Sequence, residues 1–358
     1  MKLRFDEIAV VSRNQQANYR PALERLRLVL MFFMCIDLFG FPTAMGGVVQ
    51  TFCGFAPLAF YILSGYLVLR PDEDRPARIV RTIKRTAKVF GVLAAAYFVM
   101  NIVYYLILGV NIFYAFIDLG TWFNFLVLNI WPFDIGTAIW YVQALLYAYI
   151  IIYLLDKWKL LRFDWLISLL LIIFTVITGE LCGLLPWNIA GYTYIPGNFL
   201  TRALPYILLG GFIHRKIANF RNIRSVWYWG GMVLGFALAI MEIFLLGAMG
   251  VGGYYGHLIG MTVTAVSMCM LAFKDPYVPG FERVLKMSRW HVNGIYYFCQ
   301  PVAMLMMLLM LRSGDSLSQA AEFIGIATFL MCFVGAWLTA FIPRMIKIAK
   351  QSCKDDLS

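Results

Sequence analysis

Apolar runs of about 20 residues recur along the whole chain, each long enough to cross the hydrocarbon core of a bilayer. That repetition constrains the fold more than any motif does, because in lipid every backbone polar group must be satisfied internally. The sequence therefore reads as an all-α, polytopic membrane protein. Ten spans are expected, over about 26–44, 48–69, 88–109, 138–155, 164–184, 199–214, 226–248, 254–273, 291–311 and 321–343. Gly54 and Pro57 break the second. Hydrophobic residues make up 62% of the chain and charged residues 14%, against about 25% charged in a typical globular protein.

The loops carry the orientation. Cations fill alternate connections: the segment before residue 26; Arg70 to Lys88; Lys157, Lys159 and Arg162; Arg215 to Arg224; Lys274 to Arg289; and the end from Arg344. The connections at about 110–137, 185–198 and 249–253 contain no Lys or Arg, and Arg312 alone breaks the pattern. By the positive-inside rule, ten spans place both termini in the cytoplasm. The expected organisation is a cytoplasmic segment 1–25, a membrane domain 26–345 and a cytoplasmic tail 346–358. Residues 1–24 lack a short apolar core before a cleavage site, so the first span reads as its own insertion signal.

A net charge of +11 invites a nucleic-acid partner, but its alternation between loops fits a lipid bilayer better, and no nucleic acid is expected. The seven cysteines show no CxxC pair and no Cys/His cluster, which speaks against a disulfide framework and a metal site. The uncharged connections are rich in aromatics, from Phe113 to Trp131 and again at Trp187, Tyr192 and Tyr194. They read as an interfacial belt or as a platform for a sugar face.

The first span, from Arg25 to Pro42, has a cationic foot at Arg25 and Arg27 and one acid, Asp37. A helix puts Asp37 about 15 Å above Arg27, half the depth of the core. A charge there costs about 2.5–3.5 kcal/mol on the insertion scale, so it faces a partner or a wet cavity. The other intramembrane candidates are Glu180, Arg202, Glu242 and His257, with Arg25, Arg27, His214 and His291 at inner ends. Ser64, Gln143, Asn293 and Gln300 are neutral polar groups at depth. The plain reading makes His214 and His291 solvated end residues, lets Arg202 snorkel outward, and pairs the acids with Arg202 or Arg27. In the basic segment after span two, Arg78, Arg81 and Arg85 share a helical face opposite Ile79, Val80 and Ile83. That face is either an anchor on anionic headgroups or a cradle for an anionic cytosolic donor such as coenzyme A. There is no GxSxG, HExxH or P-loop, and Ser64-Gly65 reads as close helix packing.

From about residue 20 to 345, the order of these pieces resembles the acyltransferase-3 family of integral membrane acyltransferases. Arg27 opens span one; Phe60 to Leu67 is similar to an FFxxSGYL stretch; Trp140-Tyr141 with Ala144-Leu145 is similar to a WF-x-x-AL opening. Arg202 with Leu204 to Gly210 resembles R-x-LPFFLLG, and Gly294 to Pro301 resembles a GIYLIHP element. Two histidines of the family pattern are replaced, by Leu38 beside Asp37 and by Gln300. The resemblance implies transfer of an acyl group, with acetyl-CoA the expected donor, to a hydroxyl of an envelope sugar or lipid in the plasma or inner membrane. On this reading Arg27 and Asp37 are catalytic. Arg202, Trp140, Glu242 and Gln300 bind the acceptor, and Arg78, Arg81 and Arg85 bind the donor. Acyl-CoA is a co-substrate, no cofactor is bound, and the acceptor is an envelope glycan or lipid-linked sugar. The rival expectation is a catalytically degenerate member acting as a transporter-like or accessory envelope protein. One residue along a helix is about 100° of rotation, so Asp37 does not simply replace a side chain at position 38.

Overall fold

This computed structural model describes residues 20–40, 44–108, 118–133, 137–178, 198–249, 258–276, 292, 294–306, 324–335 and 338. The terminal segments, most of the second aromatic connection, Glu180, His257, His291, Asn293 and Arg312 lie outside the described residues. The described residues are helical, with no strand among them. In chain order the helices are α1 Pro21–Phe39, α2 Ala44–Cys53, α3 Phe55–Val68, α4 Arg75–Leu108, α5 Leu119–Leu126 and α6 Trp140–Lys157. They continue with α7 Asp164–Thr178, α8 Leu204–Arg221, α9 Ser225–Ala248, α10 Ile259–Lys274, α11 over 294–306 and α12 Ile324–Gly335. Four helical stretches among the described residues are long and apolar enough to cross a membrane: Gly47–Val68, Arg75–Leu106, Leu160–Thr178 and Ser225–Ala248.

Several boundaries differ from the sequence reading, each for a local reason. Helix α1 begins at Pro21, whose missing N–H is harmless in a first turn, and ends at Gly40, where φ is +65°. The expected third span is the later part of one 34-residue helix, about 51 Å long, because nothing between Ala77 and Phe90 breaks it. The first aromatic connection holds a helix of its own, α5. Asp118 caps it, accepting from the Gly120 and Thr121 amides at 3.1 and 3.0 Å, as N-cap aspartates do. The break expected at Gly54 divides α2 from α3.

The core is built where helices α1, α3, α8 and α10 meet, around Leu30, Met34, Phe55, Leu58, Tyr61, Ile62 and Phe273. Helices α3 and α8 touch backbone to backbone. A Cβ on Gly65 would lie 1.9 Å from the Ile207 carbonyl oxygen, and one on Gly210 would lie 2.0 Å from that of Ile62. Small residues permit such approach where lipid supplies no hydrophobic drive between helices. Outward faces are strongly apolar: Leu106 of α4 is 74% exposed and Trp227 of α9 is 71% exposed.

Polar contacts gather at one end of the bundle. Arg75 at the start of α4 pairs with Asp156 at the end of α6 at 2.6 Å. Arg215 of α8 pairs with Asp164 at the start of α7. Lys274 donates to the Ile223 carbonyl at 2.7 Å, and the Ala22 amide donates to the Pro276 carbonyl at 3.2 Å. Burial, and then the charges of Arg20 and Arg78, hold Arg70 below the usual arginine range.

Candidate active site

A cavity of about 250 Å³ opens beside this cationic end. Helix α1 lines it with Arg27, Met31 and Met34, a stripe at i, i+4 and i+7. Helix α6 contributes Tyr141, Leu145 and Tyr149, a stripe at i, i+4 and i+8. Both spacings hold one helical face toward the same space. Ser64 of α3 lines the same space, so its hydroxyl and those of Tyr141 and Tyr149 face one cavity. Tyr296 and Tyr297 of α11 line the cavity too. Arg85, an exposed residue of α4, and Thr82 and Thr86 on either side of it also line the cavity and give it a basic mouth. Arg27 pairs with Glu24 at 3.4 Å and remains a quarter exposed. Two guanidiniums over a neutral, hydroxyl-rich interior can hold phosphate groups at the mouth and polarise a carbonyl within.

A second cluster forms around Arg202, which is 5% exposed. It sits in a π turn, Phe199–Ala203, ahead of α8. The turn has local causes. Asn198 caps it, accepting from the Leu200 amide at 2.8 Å. Pro205 has no amide to bond the Thr201 carbonyl, which accepts instead from the Thr175 hydroxyl at 3.2 Å. The Arg202 guanidinium lies over the Trp140 ring, 5.2 Å from its centroid. Its charge also acts on Asp37 of α1. Behind Asp37, its own carbonyl accepts from Gln50 Nε2 at 2.8 Å. Trp140 meets Tyr141 edge to face at 6.0 Å, so the cluster adjoins the Arg27 cavity through a pair of rings.

The structure thus brings Asp37, Arg202 and Trp140 together and places Arg27 and Arg85 in the neighbouring cavity. Asp37 is not among the residues that line that cavity. Position 38 continues the Arg27–Met31–Met34 stripe, and Asp37 is turned about 100° from it. The other expected site residues go elsewhere. Glu242 accepts from the Ile259 and Gly260 amides at 3.2 and 3.0 Å and caps α10. Gln300 Oε1 accepts from the Ala138 amide at 3.0 Å, and the Tyr296 hydroxyl donates to the Ala138 carbonyl. Arg78 bonds Asp72 and the Val68 carbonyl, while Arg81 is exposed and turns back to Ala77. Sequence reasoning named Ser64 and Tyr141 singly but missed Tyr149 and the grouping of the three. The i, i+4, i+8 recurrence of Tyr141, Leu145 and Tyr149 was the signal for it.

Fold and cavity define a helical membrane protein with a basic-mouthed cavity among its helices. A family profile described as an acyltransferase domain matches residues 20–345. The chain belongs to the acyltransferase-3 family, a family of membrane acyltransferases. No curated protein and no solved structure matches the chain.

Proposed function

We propose that the protein is a multi-pass enzyme of the plasma or inner membrane, with ten spans and both termini cytoplasmic. It moves an acyl group, taken as acetyl, from acyl-CoA to a hydroxyl of an envelope sugar or lipid. The observation that carries this reading is the cavity in which Arg27 and Arg85 flank the Ser64 hydroxyl and the tyrosines. The donor's phosphates meet Arg85 at the mouth and its thioester carbonyl meets Arg27. The acceptor enters from the Arg202 and Trp140 side. Its hydroxyl oxygen attacks the thioester carbon, the C–O bond forms, and the C–S bond breaks. The hydroxyl proton leaves on the Arg202 and Trp140 side, relayed through water to the Asp37 carboxylate, and coenzyme A leaves as a thiolate that takes up a proton. Gathering the cations at one end of the bundle supports a cytoplasmic side for the donor.

A second reading, a non-catalytic carrier or accessory protein, is favoured by two observations: Gln300 is committed to the Ala138 amide, and no histidine is among the described residues that line the cavity. Membranes holding wild type or Asp37→Asn are given radiolabelled acetyl-CoA, and label is followed into lipid- and glycan-linked fractions. The enzyme reading expects transfer by wild type and a loss of about 10²–10⁴-fold in the variant. Absence of transfer by folded, abundant wild type with acetyl-CoA and longer acyl-CoA donors favours the carrier.

A further inference from the structure

The aromatic segment after α4 builds a separate cavity of about 310 Å³. Ala95 and Phe98 of α4, Trp122 and Phe125 of α5, and Trp131 and Phe133 beyond it shape the space. Among the described residues, no charged, hydroxyl, amide or carboxylate side chain lines it; the two indole N–H groups are the only polar side-chain atoms they bring. The rings hold one another edge to face, Phe125 against Trp131 at 5.4 Å and Trp131 against Phe133 at 5.5 Å. A sugar bound here would leave its hydroxyls without partners, at a cost of about 1–3 kcal/mol each. A hydrocarbon chain leaves no polar group of its own unpaired.

The rim shows where such a chain comes from. Val92, Ala95 and Val99 share one exposed stripe of α4, so the cavity opens onto a lipid-facing surface. Its walls are also fastened to the candidate active site. Gln143 Nε2 donates to the Phe125 carbonyl at 2.6 Å, and Asn129 Nδ2 donates to the Trp140 carbonyl at 2.9 Å. Ile139, in the same aromatic cluster, directly precedes Trp140. These bonds place the pocket wall against the first turn of α6, within reach of a head group carried by a chain seated here.

We propose that this pocket seats the hydrocarbon tail of a lipid-borne acceptor, whose head group presents its hydroxyl beside Trp140 and Arg202. The word acceptor rests on the acyl-transfer reading; the tail site does not, and it is tested without any transfer. The full-length protein in phosphatidylcholine nanodiscs is irradiated with either of two tail-diazirine probes, a glycosylated polyprenyl diphosphate or phosphatidylcholine, at equal mole fraction. The glycosylated probe is expected to label peptides spanning 94–98 and 118–133 about fivefold more than the phosphatidylcholine probe, the selectivity of one net hydrogen bond made by its head group beside Trp140 and Arg202. Unlabelled glycosylated polyprenyl diphosphate is expected to displace it. Ala95→Trp, which fills the cavity from its exposed rim, is expected to bring labelling down to the phosphatidylcholine level. Val103→Trp, farther along the same helix, is expected to leave it unchanged. Equal labelling by the two probes, failure of the competitor in wild type, or a cross-link to a second copy of the chain in place of lipid label overturns the proposal. Selective labelling of a protein that transfers no acyl group upholds the tail site and removes the acyl-transfer reading instead.

Discussion

The guanidinium of Arg202 stands 5.2 Å from the centroid of the Trp140 ring while its charge acts on Asp37 from a different helix. A buried cation and a partly buried acid that share a field hold each other in place. Charged groups coupled in this way show interaction energies of about 0.5–3 kcal/mol in double-mutant cycles. Arg202→Gln is therefore expected to lower the thermal midpoint of the purified protein sharply. Asp37→Asn in the same chain is expected to recover most of the loss. Purely additive effects in that double-mutant cycle would show that the two groups do not interact.

The contact between α3 and α8 makes a prediction of opposite sign at two glycines. Gly65→Ala drives a methyl to 1.9 Å from the Ile207 carbonyl oxygen, so the helices must part, at about 1–3 kcal/mol. Gly91, in the exposed part of α4, has nothing within 4 Å of the place a Cβ would take. Gly91→Ala is expected to be neutral or to stabilise by up to about 1 kcal/mol through helix propensity. Thermal unfolding in detergent, read for the two variants side by side, separates them.

What the sequence made legible was whatever lies along one helix. The recurrence of apolar runs, the break at Gly54 and the basic alternation are local properties, and the structure contains the break and gathers the cations at one end of the bundle. The grouping of Asp37 with Arg202 was open in the sequence, because it joins residues far apart in the chain. Position along a helix and the partners met there decided the rest. Arg78 and Arg85 lie two turns apart on one face, yet only Arg85 reaches the cavity, while Arg78 is taken by Asp72 and the Val68 carbonyl. Glu242 has the composition of a functional intramembrane acid, and only the position of the α10 terminus reveals it as a cap. The aromatic connection reads as belt or platform by composition, and only ring geometry turns it into a cavity.

Arg27 and Arg85 are expected to act on the donor and not on the acceptor. Arg85 is at the mouth, so Arg85→Gln should raise KM for acyl-CoA with little change in kcat. Loss of one charge-assisted bond, about 1.5–3 kcal/mol, corresponds to about 10–100-fold. Arg27 lies deeper and against the hydroxyls, so Arg27→Gln should lower kcat as well. Steady-state kinetics with acyl-CoA varied at saturating acceptor distinguishes the two, and a KM effect on the acceptor alone would move the donor elsewhere.

Helix α5 should be sensitive to acid. The hydroxyl of Thr121, followed by the Gly120 and Thr121 amides, holds the Asp118 carboxyl below its ordinary range. A lowered folded value means that the cap is at full strength above the unfolded value of about 3.9 and is lost as pH falls through the lower folded one. Tryptophan emission, with Trp122 inside α5 as reporter, is expected to change over that acid window in wild type. Asp118→Ala should show the low-pH signal at neutral pH and no acid transition of its own.

Gln300 offers the sharpest choice between a lost histidine and a residue with its own task. Its Oε1 accepts from the Ala138 amide at 3.0 Å while the Tyr296 hydroxyl donates to the Ala138 carbonyl. Together they fix both sides of the residue that leads into Trp140 and Tyr141. An imidazole at this position is shorter than the carboxamide and leaves a buried amide unsatisfied, at about 1–3 kcal/mol. Gln300→His, which restores the residue the family resemblance expects there, should therefore lower the thermal midpoint. Acyl transfer should not rise, because the shift loosens Trp140 against Arg202 and Tyr141 at the wall of the cavity. Gln300→Glu keeps an acceptor oxygen in place and should retain more stability than the histidine variant. A gain in transfer by Gln300→His at unchanged stability would instead mark this position as the site of a missing general base.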